Sequence, residues 1–209
     1  MRPRRIAPIL VWLVVCGGVG VASPASAGPV GGSACRPAEL FASDNTADEL
    51  GLFEIPADVT LALNGAAVTG STLIDGVFWS DQLQQTTAER SREFHLCVAD
   101  EPTLHTAAAA LRSQFDQEAV LTFDYLPQHE ANAVIITVPD IDIARFRDAF
   151  VAASAARHRL LGGSVTTTDH TLILIAGNSD LDIARRLVGE AGGCWGAATI
   201  AYGKRDLVT

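Results

Sequence analysis

The sequence predicts an α+β protein: a ferredoxin-like, split β-α-β sheet extended by a third β-α-β unit, with its helices on one face. Three observations predict it. Asp140-Ile141-Asp142-Ile143-Ala144-Arg145 and Asp180-Leu181-Asp182-Ile183-Ala184-Arg185 are near-identical and lie forty residues apart. Each follows a run of β-branched and aliphatic residues, Val134 to Val138 and Leu172 to Ile175, and each opens an amphipathic stretch. A fainter copy comes earlier, where Phe94 to Ala99 leads through Asp100-Glu101-Pro102-Thr103 into an Ala-rich run.

In chain order, Arg2, Arg4 and Arg5 precede the apolar run Ile6 to Val15, and Ala25-Ser26-Ala27 offers the small-x-small pattern of a cleavage site. Residues 1–27 therefore read as a signal peptide cleaved near Ala27. Lipid anchoring at Cys16 is disfavoured by the bulky Val15 before it, and a twin-arginine signal by Ile6-Ala7-Pro8 after Arg5. The protein is expected to be bacterial and secreted or envelope-associated. Residues 28–37 read as a flexible tail. Residues 38–92 form an N-terminal segment, with a short strand or turn at Ala38 to Phe41. Val59-Thr60-Leu61-Ala62-Leu63 alternates and ends at Asn64-Gly65, which predicts a β-hairpin returning through Ala66 to Thr69. Ser80 to Arg92 reads as a surface helix or an extended crossing.

The α+β domain spans 93–209. Strands are predicted at 93–99, 119–126, 133–138, 164–168, 171–176 and 197–202, followed by a tail. A helix after Pro102 buries Leu104, Ala108, Leu111 and Phe115, and one from Asp140 to about His158 buries Ile143, Phe146, Phe150 and Ala153. A third, after Asp180, buries Leu181, Ala184, Leu187 or Val188, and Ala191. Gly162-Gly163 and Gly192-Gly193 follow helices, where glycine terminates them. The uncovered sheet face is expected to lie under the region of Leu61, Phe78 and Trp79.

Removing residues 1–27 takes away three arginines and no acids, so the formal charge of −9 becomes −12. That field repels polyanions and argues against nucleic-acid binding. No other apolar run approaches the ~20 residues of a membrane span, so no transmembrane span is expected in the mature chain. Three cysteines remain. Cys97 reads as a strand residue, whereas Cys35 and Cys194 lie in flexible or Gly-rich sequence, so a Cys35–Cys194 disulfide is predicted.

Few residues point to chemistry, and no catalytic residue, metal site or cofactor is assigned. The Asp-x-Asp pairs could hold a divalent metal, but their repetition favours helix capping, which duplicated architecture repeats and a catalytic metal does not. Ser43-Asp44-Asn45 resembles an element of serine β-lactamases and penicillin-binding proteins. The sole Lys, Lys204, follows Ala201 by three, so the Ser-x-x-Lys partner is missing. His95 and Cys97 share a strand face and, with His105 or an acid, have the types to bind metal or form a thiol–imidazole pair. A half-buried strand carrying one polar and one small residue is the favoured reading, since a thiolate in mid-strand is poorly accessible. Asp75, Trp79 and His95 are the candidate binding residues.

Phe115-x-Gln117-Glu118-x-Val120-Leu121, within residues 92–123, resembles a turn seen in a small secreted bacterial family of unknown function. The resemblance implies an exported α+β protein and no activity. Full fold signals beside an empty catalytic set point to a non-catalytic exported protein that binds a protein or small ligand. It should lack a deep pocket gathering acids, His or Cys, and convergence of Asp75, His95 and Cys97 in a cleft would overturn that reading. The alternatives are a secreted hydrolase with a dispersed acid/His site and a small-ligand binder using the open sheet face. A homodimer across that face is compatible with the pattern.

Overall fold

Alternation of buried and exposed positions runs through more of this chain than the predicted sheet uses, and the surplus strands close it into a barrel. The computed structural model describes residues 35–44 and 53–209. The strands are β1 (Arg36–Ser43), β2 (Ala67–Ser80), β3 (Gln85–Val98), β4 (Val120–Tyr125), β5 (Ala133–Val138), β6 (Gly162–Thr166), β7 (Leu172–Gly177) and β8 (Thr199–Val208). The helices are α1 (Glu54–Leu63), α2 (Glu101–Gln114), α3 (Ile143–Ala152), α4 (Ser154–Arg159) and α5 (Leu181–Glu190). The strands close in the order β1-β3-β2-β6-β7-β5-β8-β4, with β4 returning to β1 and every pair antiparallel.

This overturns the α+β, ferredoxin-like sheet with a third β-α-β unit and helices on one face. The repeating unit is longer than the one read from the Asp-x-Asp copies, and it begins earlier. It runs β-α-β-β-α-β from β1 to β4 and again from β5 to β8. Each run forms a four-stranded sheet, β4-β1-β3-β2 and β8-β5-β7-β6, and the pairs β2–β6 and β4–β8 join them. Closure leaves no strand edge unpaired, which removes the template for edge-to-edge association. β1, β2 and the first part of β3 thus come from segment 38–92 as barrel wall, and of the residues expected to cover the sheet only Leu61, in α1, packs over its outside. Among the described residues, the sheet face expected to be open is part of this closed wall.

Several elements change with the topology. Val59 to Leu63 belongs to α1, whose buried stripe Phe53, Ala57 and Leu61 follows a spacing of four. Asn64-Gly65 ends that helix, Gly65 at φ +85°, instead of turning a hairpin. Residues 80–92 carry the β2–β3 hairpin and the first half of β3. The predicted helix to His158 breaks at Ala153 into α3 and α4. The predicted tail continues β8.

Capping accounts for the first Asp-x-Asp copy and not for the second. Asp142 accepts from the backbone N–H of Ala144 and Arg145, both at 3.0 Å. Asp100 caps α2 in the same way through Thr103, at 2.9 Å. In the second copy Asp180 makes no capping bond and is buried in an ion pair with Arg159. Near-identical hexapeptides therefore do different work.

The helices pack outside the barrel. α1 and α2 bury Ala57, Leu61, Leu104, Ala108 and Leu111 against the outward Leu40, Phe94 and Leu96. α3 and α5 bury Phe146, Phe150, Leu187 and Val188 against the outward Val134, Ile136, Leu172 and Leu174. Between these outer cores, Ile74, Phe123, Ala133, Ile135 and Ile173 form an apolar layer inside the barrel. Gly203 makes room for it, because a Cβ there would fall 2.5 Å from the Phe123 ring.

The disulfide joins Cys35 to Cys97, with Cα atoms 5.3 Å apart, and corrects the predicted Cys35–Cys194 bridge. Cys35 immediately precedes β1, whose Pro37 faces Cys97 across the β1–β3 ladder. Reading Cys35 as tail hid that neighbour. The signal segment, Cys16 and the cleavage region at Ala27 lie outside the described residues. Among the described residues no helix is long and apolar enough to cross a membrane.

Candidate functional site

Alternation along β1, β3 and β4 turns Leu40, Phe94 and Val120 outward to the helices, and Glu39, Glu93, His95 and Tyr125 inward. Register then brings the inward set together. Glu39 lies opposite His95 on one side and Phe123 on the other, while Glu93 precedes His95 by two on the same strand face. A β-bulge at Val68/Gly70 sits beside this point, with Gly70 opposite His95. Bulges of this kind re-aim the strand next to a site.

These side chains line one mouth of the barrel, a cavity of about 330 Å³. Thr72, Thr137, Thr166 and Asp169 complete a polar rim, and Ile135 and Ile173 form its floor. The Glu39 carboxylate is the hub. Its Oε2 lies 2.7 Å from His95 Nδ1, and its Oε1 accepts from the Tyr125 hydroxyl at 2.9 Å. On the far side of the imidazole, Nε2 lies 3.5 Å from Thr72 Oγ1. Glu39 and Glu93 are buried, at 8% and 6% exposure, whereas the His95 side chain keeps 42%.

The electrostatics follow from two buried carboxylates sharing one imidazole. Burial, and then repulsion from Glu39, pushes Glu93 up to about 7, against a smaller lowering by His95. The hydrogen bond to Glu39 raises His95 from its ordinary value, against burial. Burial and then the Glu39 charge raise Tyr125 as well, so it remains a hydrogen-bond donor. Perturbed groups gathered in a cleft mark a functional site.

Ligand atoms of Glu39, Glu93 and His95 all lie within 4.8 Å of one another, a spacing that could hold a metal ion. A second such group, Glu101, His105 and Asp206, lies outside the barrel. There the Lys204 ammonium already occupies the position of a cation, 2.6 Å from Glu101 and 3.1 Å from Asp206.

Of the three candidate binding residues, only His95 reaches the cavity. Asp75 faces an outer groove beside Arg90 and Arg147. Trp79 anchors packing: its indole N–H donates to Asp81 at 2.9 Å, and its ring meets His158 edge-on with the Arg157 guanidinium 5.1 Å away. Cys97 is in the disulfide and His105 pairs with Asp206, so neither joins His95 in a thiol–imidazole pair or a metal site. Asp75, His95 and Cys97 therefore do not converge. A cavity gathering acids around a histidine is nonetheless present, and its acids are Glu39 and Glu93.

Sequence reasoning missed Glu39, Glu93 and Tyr125. One signal was available for Glu93, because the alternation that pairs His95 with Cys97 places Glu93 on the same face. Glu39 and Tyr125 join only through pairings between β1, β3 and β4.

No family model and no curated protein matches the chain. Three solved structures are similar to it at low level. A phage SAM lyase in complex with S-methyl-5'-thioadenosine has TM-score 0.36 and 18% identity, covering 47% of this chain and 86% of that one. A putative monooxygenase from Lactobacillus acidophilus has TM-score 0.27 and 13% identity, covering 83% and 96%. An anthrone oxidase-like protein has TM-score 0.26 and 8% identity, covering 84% and 94%. Similarities this low carry no argument about the activity of this chain.

Proposed function

We propose that this is an exported binding protein that takes a small, positively charged molecule into the acidic mouth of its barrel. One observation carries the reading. Glu39 and Glu93 are buried in one cavity with a single imidazole, which bonds Glu39 and lies near Glu93. Desolvated carboxylates hold protons they would otherwise release, and a cation in their place relieves the same charge. The threonine rim supplies hydroxyls that fix orientation, as in most small-molecule sites. Export is supported by the basic and apolar N-terminal sequence, and by a disulfide of the kind that persists in oxidising compartments.

Titration at pH 8 with agmatine, an organic cation, is expected to raise the melting temperature saturably. Glycerol, a neutral control, has no such effect, and Glu93→Gln abolishes the response to agmatine. A Zn²⁺ arm asks whether the same three groups take a metal. Equal responses in wild type and Glu93→Gln, or none to either cation, would remove the reading.

Hydrolysis is a second reading, favoured by the line Thr72 Oγ1, His95 and Glu39. That order places a hydroxyl, a base and an orienting carboxylate in sequence. Turnover of p-nitrophenyl acetate above buffer, lost in both Thr72→Val and His95→Ala, is its expected result. Turnover that survives Thr72→Val excludes that nucleophile.

A further inference from the structure

The two mouths of the barrel differ in chemistry. β1 runs from Glu39 at the acidic mouth to Ser43 at the other, and β4 runs back from Leu121 to Tyr125. At the second mouth lies a cavity of about 260 Å³, walled by Phe41, Ile74, Phe78, Leu121 and Ile175. Ile173 of the apolar layer borders both cavities. Gly76 and Gly162 flank Phe78, where a Cβ on either would collide with its ring. The wall is built around that aromatic side chain.

Arg205 projects into this apolar chamber from β8, where it lies opposite Phe123. Its Nη1 donates to the Ile175 carbonyl at 3.3 Å, and among the described residues it makes no ion pair. Among the described residues, the one carboxylate lining the chamber, Glu89, accepts from the hydroxyls of Ser43 and Ser91 and forms no ion pair with the arginine. A guanidinium presents five N–H donors in a planar fork, and here one backbone oxygen engages them. Placed against apolar walls, such a fork matches a carboxylate better than any neutral group.

We propose that this second cavity binds a monocarboxylate with an apolar tail, the carboxylate on Arg205 and the tail among Phe41, Ile74, Phe78 and Leu121. This site is separate from the acidic mouth and does not depend on the cation reading. The barrel then presents an anion-selecting apolar end and a cation-selecting polar end.

Calorimetric titration with decanoate, and with decanol as the uncharged analogue, tests the assignment. Wild type is expected to bind decanoate more tightly than decanol. Arg205→Met should weaken decanoate about 10- to 100-fold, the value of one charge-assisted contact, while changing decanol less than about 3-fold. Arg205→Lys retains charge without the fork and is expected to fall between them. Glu93→Gln leaves decanoate binding unchanged, so the two ends report separately. If Arg205→Met does not fold, the wild-type preference and the Arg205→Lys variant still decide. Wild type that ignores decanoate, binds decanol equally, or is matched by Arg205→Met overturns the proposal.

Discussion

Glu93→Gln is expected to raise the melting temperature at pH 8 by about 5–10 °C and to flatten the pH dependence of stability. The sign follows from the direction of the shift. Glu93 titrates near 4.5 in the unfolded chain and at about 7 in the barrel, so between those values the folded state holds the extra proton. Stability is therefore greatest below the lower value and falls as pH rises towards 7. The shift corresponds to about 3 kcal/mol. His95 acts in the same direction. Its raised value contributes stability that is complete below 6.5 and lost as pH rises through the folded-state value. Asp100 and Asp169 oppose them at the acid end, since both are lowered by hydrogen bonds from neighbouring threonines. They contribute above 3.8 and lose that contribution as pH falls through their folded-state values. The wild type should therefore be most stable at mildly acidic pH. Thermal melts from pH 4 to 9 check this, and a wild-type profile that is level between 4.5 and 7 would rule it out.

The same residue shows where sequence reading stops. Local periodicity located β4 to β7, the second half of β3 and the first part of β8, because each announces itself within a window of a few residues. Helix stripes such as Leu104, Ala108 and Leu111 were equally visible, and they are buried as their spacing implies. What sequence could not supply was partnership. The forty-residue echo between Asp140 and Asp180 suggested a three-element unit, yet the closed wall repeats a six-element one whose first strand carries no such tag. Misreading α1 as a hairpin then severed β1 from its neighbours. With β1 went Glu39, the residue to which both His95 and Tyr125 bond. Arg205 was lost similarly, as part of a supposed tail. Inward charges on a two-sided barrel strand look like solvent-facing charges on a one-sided sheet, and only closure distinguishes them.

Breaking the Cys35–Cys97 bridge carries the other large effect. The two residues are 62 apart in sequence, so the bridge closes a long loop in the unfolded chain. The chain-entropy account assigns such a loop about 4 kcal/mol, equivalent to roughly 8–16 °C in a domain of this size. Cys35→Ala and Cys97→Ala should each lower the melting temperature by that amount, and the double variant no further, because one bond is lost in all three. Dithiothreitol should reproduce the loss in wild type and leave the Cys35→Ala and Cys97→Ala variants unmoved. Position adds a consequence for binding. Cys97 follows His95 by two on the inward face, and Cys35 leads into the strand that carries Glu39. The bridge thus pins the start of β1 to the end of β3 at the acidic mouth, and reduction should weaken the agmatine response even below the melting transition. Decanoate binding at the opposite mouth should change less. Melting temperatures unchanged by dithiothreitol, or lowered only in Cys194→Ala, would place the stabilising bond elsewhere.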